Sequence, residues 1–518
     1  MSTTIGISLH QKPYDYVRKC VESALSQTAE VKVILRTEGP DACDEQTLDY
    51  LKKLDIEEEK FKLIIGNKKL GIYPSYNEIF DSVDTDNICQ LDADDYLEPE
   101  AIEICEKTLS ENPHYSMVYT DCMEVDESGN SIGLHKNQQI EYSASNLLIN
   151  FITYHLRVIR TRVFESVGKF DESLPFSADY DICLKISEIG LAENVGYIPL
   201  PLYNYRISSD SMFKVNFDQT NLEAQIASQK ALMRRGLSDE YKTLLNRRTG
   251  NLLIHPVLKD NNLDFSDSQP IIFTGMHRSC TSLISNMLTK LGIDMGESVL
   301  EPDEFNPKGY FENKNFLFFD TYFCDCASKD GEGFPNWGWT RGEDLDEKVL
   351  EDFKEPAKYV INLHLDKKLW GWKDPRTSLL LKFWEPLLPT AKYIFAYRNP
   401  NDVINSVKKL NISVFKENPE YIEECWISHN KNILEFYKNN QDRCLLLSTD
   451  QLLKNPSLLK VLIENKFNLE LEDYDLNSLI TEDYLHSTEE VLTTSMSEEL
   501  FEELNKNADL PYVGLLGP

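Results

Sequence analysis

The sequence predicts an α/β protein built from two domains, and three observations lead to that fold class. A strand–helix alternation begins at Ile5, and a second alternation begins at Ile271. The stretch Lys259–Pro270 between them is polar, acidic and ends in proline, which is typical of a linker. Strands that alternate with helices form mostly parallel sheets covered by helices, and ligands bind beyond the carboxyl ends of such strands.

Composition narrows the class of protein. The chain has 518 residues, which is long enough for two or three domains. Because 41% of the residues are hydrophobic and 27% are charged, these domains should be globular. Its net charge of −33, from 53 basic and 86 acidic residues, argues against general nucleic-acid binding, which needs a basic face. Local basic pockets for phosphate groups remain compatible with that charge.

Cysteine usage and hydropathy indicate the compartment. The 11 cysteines are scattered through a large chain, which fits free thiols in a reducing environment, and we expect a cytoplasmic protein. No uncharged apolar run reaches about 18 residues, so no transmembrane helix is expected. The first residues lack a charged segment followed by a long apolar one, so no signal peptide is expected. No pattern predicts an oligomeric state.

The first alternation leads to an acidic turn. "TIGISLHQKPYDYVRKCVESALSQT" predicts a strand, a polar loop and an amphipathic helix, and "VKVILRTEG" predicts a second strand. The apolar strand Ile88–Leu91 is followed at once by Asp92, Asp94 and Asp95. Carboxylates this close repel one another, so a divalent cation, Mn²⁺ or Mg²⁺, is the functional explanation. An acidic turn that caps the next helix is the structural one.

Five segments in this order resemble glycosyltransferase family 2, whose members have a GT-A, Rossmann-like fold. The resemblance covers about the first 210 residues and includes "QLDADDYL" and "SADYDICLKISEIG". It implies a UDP-linked sugar donor, with Asp94 and Asp92 at the metal and Asp92 near the ribose. Two departures stand out, since Glu38 replaces the family's usual Asp and Ser208 replaces a metal-binding His. The implied nucleotide-sugar contacts are Ser8, Glu38, Asn67, Lys69 and Asp92.

The same resemblance implies the catalytic base. Asp179 in "SADYD" matches the Asp that deprotonates the acceptor hydroxyl in inverting members, and Asp181 is a second choice. A helix N-cap ahead of "YDICLKISEIG" is the structural alternative for Asp179.

The second alternation opens with "IIFTGMHRSCTSLISNMLTKLGI", which is Ile271–Ile293. A strand, a glycine-led turn and a helix that begins at Thr281 form the layout that holds phosphate on backbone N–H groups. The loop lacks the second glycine and the lysine of a kinase loop, because Arg278 and Cys280 stand near those places.

This loop resembles the 5′-phosphosulfate loop of sulfotransferases that use PAPS, 3′-phosphoadenosine 5′-phosphosulfate, and that have a P-loop NTPase-like fold. "WGWKDPRTS" and "AKYIFAYRNPNDVINSV" match later motifs of that family, and the resemblance spans about Pro270–Asn468. Cys280 stands where the family has glycine, and a positive φ there would cost about 1 kcal/mol. The implied PAPS contacts are Gly275, Arg278, Ser279, Cys280, Thr281, Ser282, Arg398 and Ser406.

Catalytic roles in this half also follow from the resemblance. Glu312, in "EPDEFNPKGYFENKNF", is the expected acceptor base, with His277 and His364 as rivals. Lys373 or Arg278 would meet the leaving phosphate oxygen. The tryptophans that could stack on sugars, with core positions as the alternative for each, are Trp337, Trp339, Trp370 and Trp372.

The resemblances together imply a bifunctional enzyme of polysaccharide or surface-glycan synthesis, which transfers a sugar and a sulfate to a glycan acceptor. Residues 1–212 form the expected glycosyltransferase domain and residues 269–518 the sulfotransferase domain. Residues 213–268 between them form a connector of one or two helices, with a stop near Gly236, and a linker.

Three alternatives remain open. In the first, the second domain lacks catalysis and serves as a glycan-binding or structural module beside an active glycosyltransferase. In the second, both sites are degenerate in a glycan scaffold. The third, a nucleotide kinase, is disfavoured because the loop lacks its lysine.

Overall fold

A computed structural model describes most of the chain and divides it into two compact units, Met1–His255 and Pro256–Pro518. The boundary falls inside the segment that the sequence assigns to the connector. The described residues are 1–39, 41–57, 60–81, 83–135, 140–189, 194–208, 215–259, 262–296, 311–328, 338, 345–480 and 493–513.

The first unit alternates strands and helices and ends in a hairpin. Its strands are β1 (Thr3–Leu9), β2 (Val31–Thr37), β3 (Phe61–Ile65), β4 (Asn87–Asp92), β5 (Tyr96–Leu97), β6 (Met117–Val125), β7 (Ser131–Leu134), β8 (Arg157–Arg160), β9 (Val195–Arg206), β10 (Tyr241–Leu245) and β11 (Leu252–Pro256). Its helices are α1 (Tyr14–Leu25), α2 (Glu45–Glu57), α3 (Ile72–Phe80), α4 (Ala101–Glu111), α5 (Thr161–Ser166), α6 (Ala178–Ser187) and α7 (Phe217–Arg234).

The main sheet of this unit has the order β3-β2-β1-β4-β8-β6-β9-β5, with β7 beside β6. Strands β1 to β4 are parallel, and Ser8 lies level with Arg36 on one side and Asp92 on the other. The carboxyl ends of these strands therefore meet at one edge. This confirms the predicted α/β class; the expected parallel arrangement holds for β1 to β4, whereas β5, β7 and β8 join the sheet antiparallel.

Helices cover both faces of this sheet. On one face, Ile5 and Ile7 of β1 pack with Val17 and Val21 of α1. On the other face, the apolar residues of α3 pack with Ile34 and Ile88, and they are Tyr76, Ile79 and Phe80. Both faces of β1 and β4 are therefore buried along most of their length.

The connector differs from its sequence expectation. One helix, α7, ends at Arg234 ahead of Gly236, whose φ of 68° stops the helix as predicted. Of the one or two helices that the sequence allows, the structure has one, and "YKTLL" forms β10, which pairs with β11. A short apolar run does not distinguish a buried helix from a strand, and the Asn246–Asn251 turn closes the hairpin here.

The second unit follows the same alternation. Its strands are β12 (Gln269–Thr274), β13 (Leu369–Lys373), β14 (Lys392–Tyr397) and β15 (Cys444–Ser448). Its helices are α8 (Thr281–Lys290), α9 (Lys314–Ala327), α10 (Glu347–Asn362), α11 (Leu381–Trp384), α12 (Pro400–Lys408), α13 (Ser413–Glu417), α14 (Tyr421–Asn439), α15 (Thr449–Lys454), α16 (Leu458–Phe467) and α17 (Ser495–Asn507).

Its described strands form one fully parallel sheet in the order β13-β12-β14-β15. Ile271 and Phe273 of β12 pack with Leu283 and Ile284 of α8. Beyond α17, the chain returns to the sheet edge, where Leu510 bridges Leu447 of β15 in parallel. No helix among the described residues is long and apolar enough to cross a membrane.

Close strand approach makes one glycine essential, which gives a test of this fold. A Cβ on Gly371 of β13 would lie 1.8 Å from the carbonyl oxygen of Ile271, so Gly371→Ala must displace β13 from β12. We expect it to lower the free energy of unfolding by about 3 kcal/mol, a value typical of forced overpacking in a core.

All six tryptophans lie in the second unit, so tryptophan fluorescence during urea unfolding reads that unit directly. Ser457→Ala, at an exposed position of the same unit, should change the free energy by less than about 0.5 kcal/mol. An unchanged transition for Gly371→Ala would contradict the β12–β13 register.

Candidate functional sites

The acidic turn after β4 sorts its three carboxylates into different environments. Asp95 is buried, and it accepts hydrogen bonds from the Tyr203 hydroxyl at 2.7 Å and the Arg206 backbone N–H at 2.8 Å. Burial, reinforced by the charges of Asp94 and Asp92, raises the pKa of the Asp95 carboxyl well above its usual value. Asp95 therefore holds the turn to β9, and Asp92 and Asp94 face outward.

The side chains of Asp92 and Asp94 are 33% and 19% exposed and are the candidate metal ligands. Asp92 accepts a hydrogen bond from Tyr76 at 3.0 Å, and Asp94 pairs with Lys12 at 2.5 Å. No group of three His, Cys, Asp or Glu residues that could hold a metal occurs within the described ranges. Two carboxylates nevertheless fit Mg²⁺ or Mn²⁺, since such sites take further ligands from phosphate and water.

Glu38 directly follows β2, and both of its carboxylate oxygens have partners. Its Oε1 pairs with Arg36 at 2.7 Å, and its Oε2 accepts backbone N–H groups from Leu70 and Gly71, each at 2.9 Å. Ser8 lies 3.5 Å away across the strands. Glu38 therefore anchors the loop ahead of α3 to the edge where the first strands end.

The anchored loop carries Asn67 and Lys69, both of which are exposed. The Lys69 ammonium lies 2.8 Å from Nε2 of His10, and burial together with Lys69 lowers the pKa of His10. A cation is thus held beside the end of β1. Ser208 follows the end of β9 at Arg206, and residues 209–214 lie outside the described residues.

Asp179 lies in the first turn of α6 and is gripped by two partners that sequence reasoning missed. It accepts a hydrogen bond from Tyr73 at 2.8 Å and pairs with Arg157 at 3.2 Å. The Arg157 side chain is only 3% exposed. An arginine inside the apolar stretch "HLRVIR" was the available signal, because a buried charge needs a partner.

The second choice for a base lies elsewhere. Asp181 is fully buried and forms ion pairs with Lys185 of its own helix at 2.8 Å and with Arg234 at 3.2 Å, and the second pair links α6 to α7. Its surroundings are those of a structural residue.

In the second unit, the loop between β12 and α8 has an unusual backbone. Arg278 and Cys280 adopt φ values of 67° and 55°, in the left-handed region that favours glycine. A Cβ on Gly275 would lie 2.3 Å from the carbonyl oxygen of Ala396, so the chain passes close to β14 there. Thr281 and Ser282 begin the helix that follows.

The two predicted phosphate motifs meet in space. The Arg278 guanidinium donates to the Ser406 hydroxyl at 2.9 Å, and Arg398 donates to the Arg278 carbonyl at 3.3 Å. The Ser279 hydroxyl is buried and has no hydrogen-bond partner within the part of the chain that the structure describes. Two guanidinium groups beside an orphaned hydroxyl fit the anionic groups of PAPS.

Acidic groups hold Arg398 in place. Its Nε lies 3.4 Å from Asp450 and 3.8 Å from Asp402. Burial raises the pKa of Asp450, which Arg398 partly opposes. Arg398 is therefore pre-positioned rather than free to rotate into solvent.

The structure also brings the two predicted catalytic residues together. Lys373, at the end of β13, donates to Glu312 at 2.5 Å, and both side chains are at least 95% buried. The next residue, Asp374, is buried as well. Burial raises the pKa of the Asp374 carboxyl to about 6; the charge of Arg376 lowers this pKa, and the charge of Glu312 raises it.

The remaining candidates are the two rival histidines and the four tryptophans. His364 stacks on Trp370 and burial lowers its pKa, while His277 lies 6.5 Å from His429 between ring centres. Trp370 and Trp372 are fully buried in the core. Trp337, Trp339 and residues 301–310 lie outside the described residues.

Family comparisons agree with this division. The family model described as "Glycosyl transferase family 2" matches residues 4–168, and the "Sulfotransferase family" model matches residues 270–473. The chain therefore joins a family 2 glycosyltransferase domain to a domain of the sulfotransferase family. Both predicted resemblances are confirmed. Asp179 lies beyond the first match, whereas Arg278, Glu312, Lys373 and Arg398 lie within the second.

Individual relatives share only part of this architecture. A chondroitin synthase of Pasteurella multocida (strain Pm70) is 29% identical over 235 residues, which are 44% of this chain and 24% of that protein. A hyaluronan synthase of Pasteurella multocida is 29% identical over 237 residues, 44% and 23% of the two chains. A chondroitin synthase of Escherichia coli is 32% identical over 184 residues, 35% and 26%. The chain spans about a quarter of the length of these curated relatives.

Among solved structures, S. aureus TarS 1–349 in complex with UDP aligns at 15% identity with a TM-score of 0.36. The alignment covers 46% of this chain and 69% of that one.

The left-handed cysteine gives a testable stability prediction. Cys280→Gly should raise the free energy of unfolding of the second unit by about 0.5 to 1 kcal/mol, because relief of strain exceeds the flexibility that glycine adds to the unfolded chain. Cys280→Val should lower it by about 1 kcal/mol, because a β-branched residue tolerates this backbone least. Urea unfolding followed by tryptophan fluorescence measures both. Shifts of the same sign for the two variants would contradict the assigned backbone.

Proposed function

We propose that the first unit transfers a sugar from a nucleotide-sugar donor and that the second transfers sulfate from PAPS to a carbohydrate hydroxyl. The observation that carries the proposal is the meeting of each predicted residue set at the carboxyl ends of parallel strands. Ligands in such sheets bind at that edge. Residues 1–212 and 269–518 hold the two activities, and residues 213–268 connect them.

For sugar transfer, Asp92 and Asp94 would hold a Mg²⁺ or Mn²⁺ ion together with the donor diphosphate. The ion would stabilise the charge that develops on the departing diphosphate. Ser8, Asn67 and Lys69 line the donor side, and Glu38 keeps their loop in place. The donor is UDP-linked and the reaction inverts the sugar configuration.

Asp179 is the proposed base of this reaction. Arg157 and Tyr73 hold its carboxylate, and the carboxylate accepts the proton from the acceptor hydroxyl as the new glycosidic bond forms. Two donors from α3 and β8 fix the direction of the carboxylate, which is the usual requirement for a positioned base.

For sulfate transfer, Arg278, Ser279 and the first residues of α8 bind the 5′-phosphosulfate, while Arg398 and Ser406 bind the 3′-phosphate. The acceptor oxygen forms a bond to sulfur as the bond from sulfur to the bridging phosphate oxygen breaks. Glu312 takes the acceptor proton, and Lys373 stabilises the charge on the leaving phosphate oxygen. The short Glu312–Lys373 contact supports these paired roles.

The relatives suggest the acceptor. Two of them are named chondroitin synthase and one hyaluronan synthase, so we propose a glycosaminoglycan-like acceptor. Linking the two heads is useful if the product of one reaction is the acceptor of the other, because tethering raises the effective concentration.

A second candidate has one observation in its favour. The left-handed Cys280 stands in the phosphate loop where the family has glycine, and a side chain there narrows the approach to a phosphate. In that case, the second unit would bind glycan without sulfating it.

Calorimetric titration with PAP, the desulfated product, separates the two. We expect micromolar binding by the full chain and at least a 30-fold loss in Arg398→Ala, because a bidentate cation–phosphate contact is worth about 2 kcal/mol or more. Arg443→Ala, which removes an arginine paired with Glu385 away from the loop, should bind PAP normally. Absence of PAP binding in the folded wild-type chain would favour the passive module.

The base assignment has its own test. Asp179→Asn should bind UDP with Mn²⁺ as tightly as wild type, but with a UDP-sugar and a glycosaminoglycan oligosaccharide acceptor it should release UDP at least about 100-fold more slowly. Asp81→Asn, an exposed position paired with Lys169, should release UDP at the wild-type rate. A rate in Asp179→Asn within threefold of wild type would exclude Asp179 as the base.

A further inference from the structure

Lys12 forms an ion pair with one of the two candidate metal ligands. Its ammonium lies 2.5 Å from Oδ2 of Asp94, and the two side chains are 32% and 19% exposed. The proposed sugar-transfer reaction gives Lys12 no role. Sequence reasoning also passed over it, because the contact joins residues 82 positions apart.

Hydrogen bonds to the backbone hold the two segments that carry Lys12 and Asp94. The backbone N–H of Gln11 donates to the Ala42 carbonyl at 2.6 Å, which fixes the loop that carries Lys12. The Arg206 guanidinium donates to the Asp94 carbonyl at 2.9 Å, which fixes the acidic turn. The ion pair therefore joins two anchored segments, unlike a surface contact between two mobile side chains.

A divalent cation at this turn would need the same carboxylate. A metal ion at about 2.1 Å from the Asp94 carboxylate would lie close to the ammonium that contacts Oδ2 at 2.5 Å, and the two cations would repel each other. Binding of a metal therefore weakens the Lys12–Asp94 ion pair. The diphosphate of the donor would supply new negative charge for the ammonium at this site.

We propose that Lys12 couples metal binding to donor binding, by occupying Asp94 in the free protein and moving to the donor diphosphate when the donor arrives. This inference rests on the proposed sugar-transfer function. Metal alone weakens the ion pair and offers Lys12 no new partner, whereas metal with a nucleoside diphosphate gives Lys12 a new anionic partner. Lys12 therefore weakens the binding of metal alone, because its ammonium repels the metal, and strengthens the binding of diphosphate in the presence of metal, because its ammonium pairs with the diphosphate.

The test uses the full chain and two binding constants. Electron paramagnetic resonance gives the dissociation constant of Mn²⁺ without nucleotide, and calorimetry gives that of UDP at saturating Mn²⁺. Lys12→Met should bind Mn²⁺ alone about fivefold more tightly and UDP about tenfold more weakly, within the usual range of coupling effects. Lys12→Arg keeps the charge and should stay within about threefold of wild type in both constants.

A matched control is present in the same unit. Lys32 pairs with Asp84 at the same 2.5 Å distance, at an exposed place, and Lys32→Met should leave both constants unchanged. Circular dichroism checks folding, and Lys12→Gln replaces Lys12→Met if the latter does not fold.

The opposite signs of the two changes distinguish coupling from a structural role. Weakening of both constants in Lys12→Met, or a change in neither, would overturn the inference while leaving sugar transfer intact. If the wild-type chain binds no UDP in the presence of Mn²⁺, the proposed sugar transfer and the inference both fail.

Discussion

Parallel strand pairing is the constraint on which both candidate sites depend. In the first unit, the pairing of β1 with β2 and β4 sets Ser8 level with Asp92. In the second, β12 lies between β13 and β14, so the phosphate loop, Lys373 and Arg398 emerge at one edge. The register is enforced where a Cβ has no room, at Gly275 and Gly371. The strand ends bring together Ser8 and Asp92 in one unit and the phosphate loop, Lys373 and Arg398 in the other, whereas Asp179 lies in the first turn of α6 and Glu312 just before α9.

Opposite charges within the sites form the second layer. Although the chain carries a net charge of −33, its candidate sites contain lysine and arginine, and a carboxylate holds three of these cations in the free protein. Lys12 is held by Asp94, Arg398 by Asp450 and Lys373 by Glu312. Such pairs avoid leaving a partly buried cation alone, and a phosphate can replace the carboxylate as partner at small net cost in free energy. The cationic side chains are therefore already held in position in the protein without ligand.

The sequence predicted what local pattern determines and missed what long-range packing determines. The strand before the acidic turn, the glycine-led loop and the helix start at Thr281 all follow from short motifs, and the structure has them. Arg157 and Tyr73 were missed because they reach Asp179 from distant segments, and the burial of Asp95 was hidden because three adjacent aspartates look alike in sequence. The sequence leaves one or two helices open for the connector and does not predict the β10–β11 hairpin, because a five-residue run carries no clear period.

One experiment tests directly whether the chain carries two working transfer sites. The purified chain is incubated with a chondroitin oligosaccharide, a mixture of UDP-sugars with Mn²⁺, and PAPS labelled with ³⁵S, and the products are resolved by mass and by label. We expect the wild-type chain to make oligosaccharides that are lengthened by sugar residues and labelled with sulfate. The products of Arg398→Ala should carry no sulfate label. Lengthened but unlabelled products, from wild-type chain that remains folded, would contradict it and leave the second unit without catalysis.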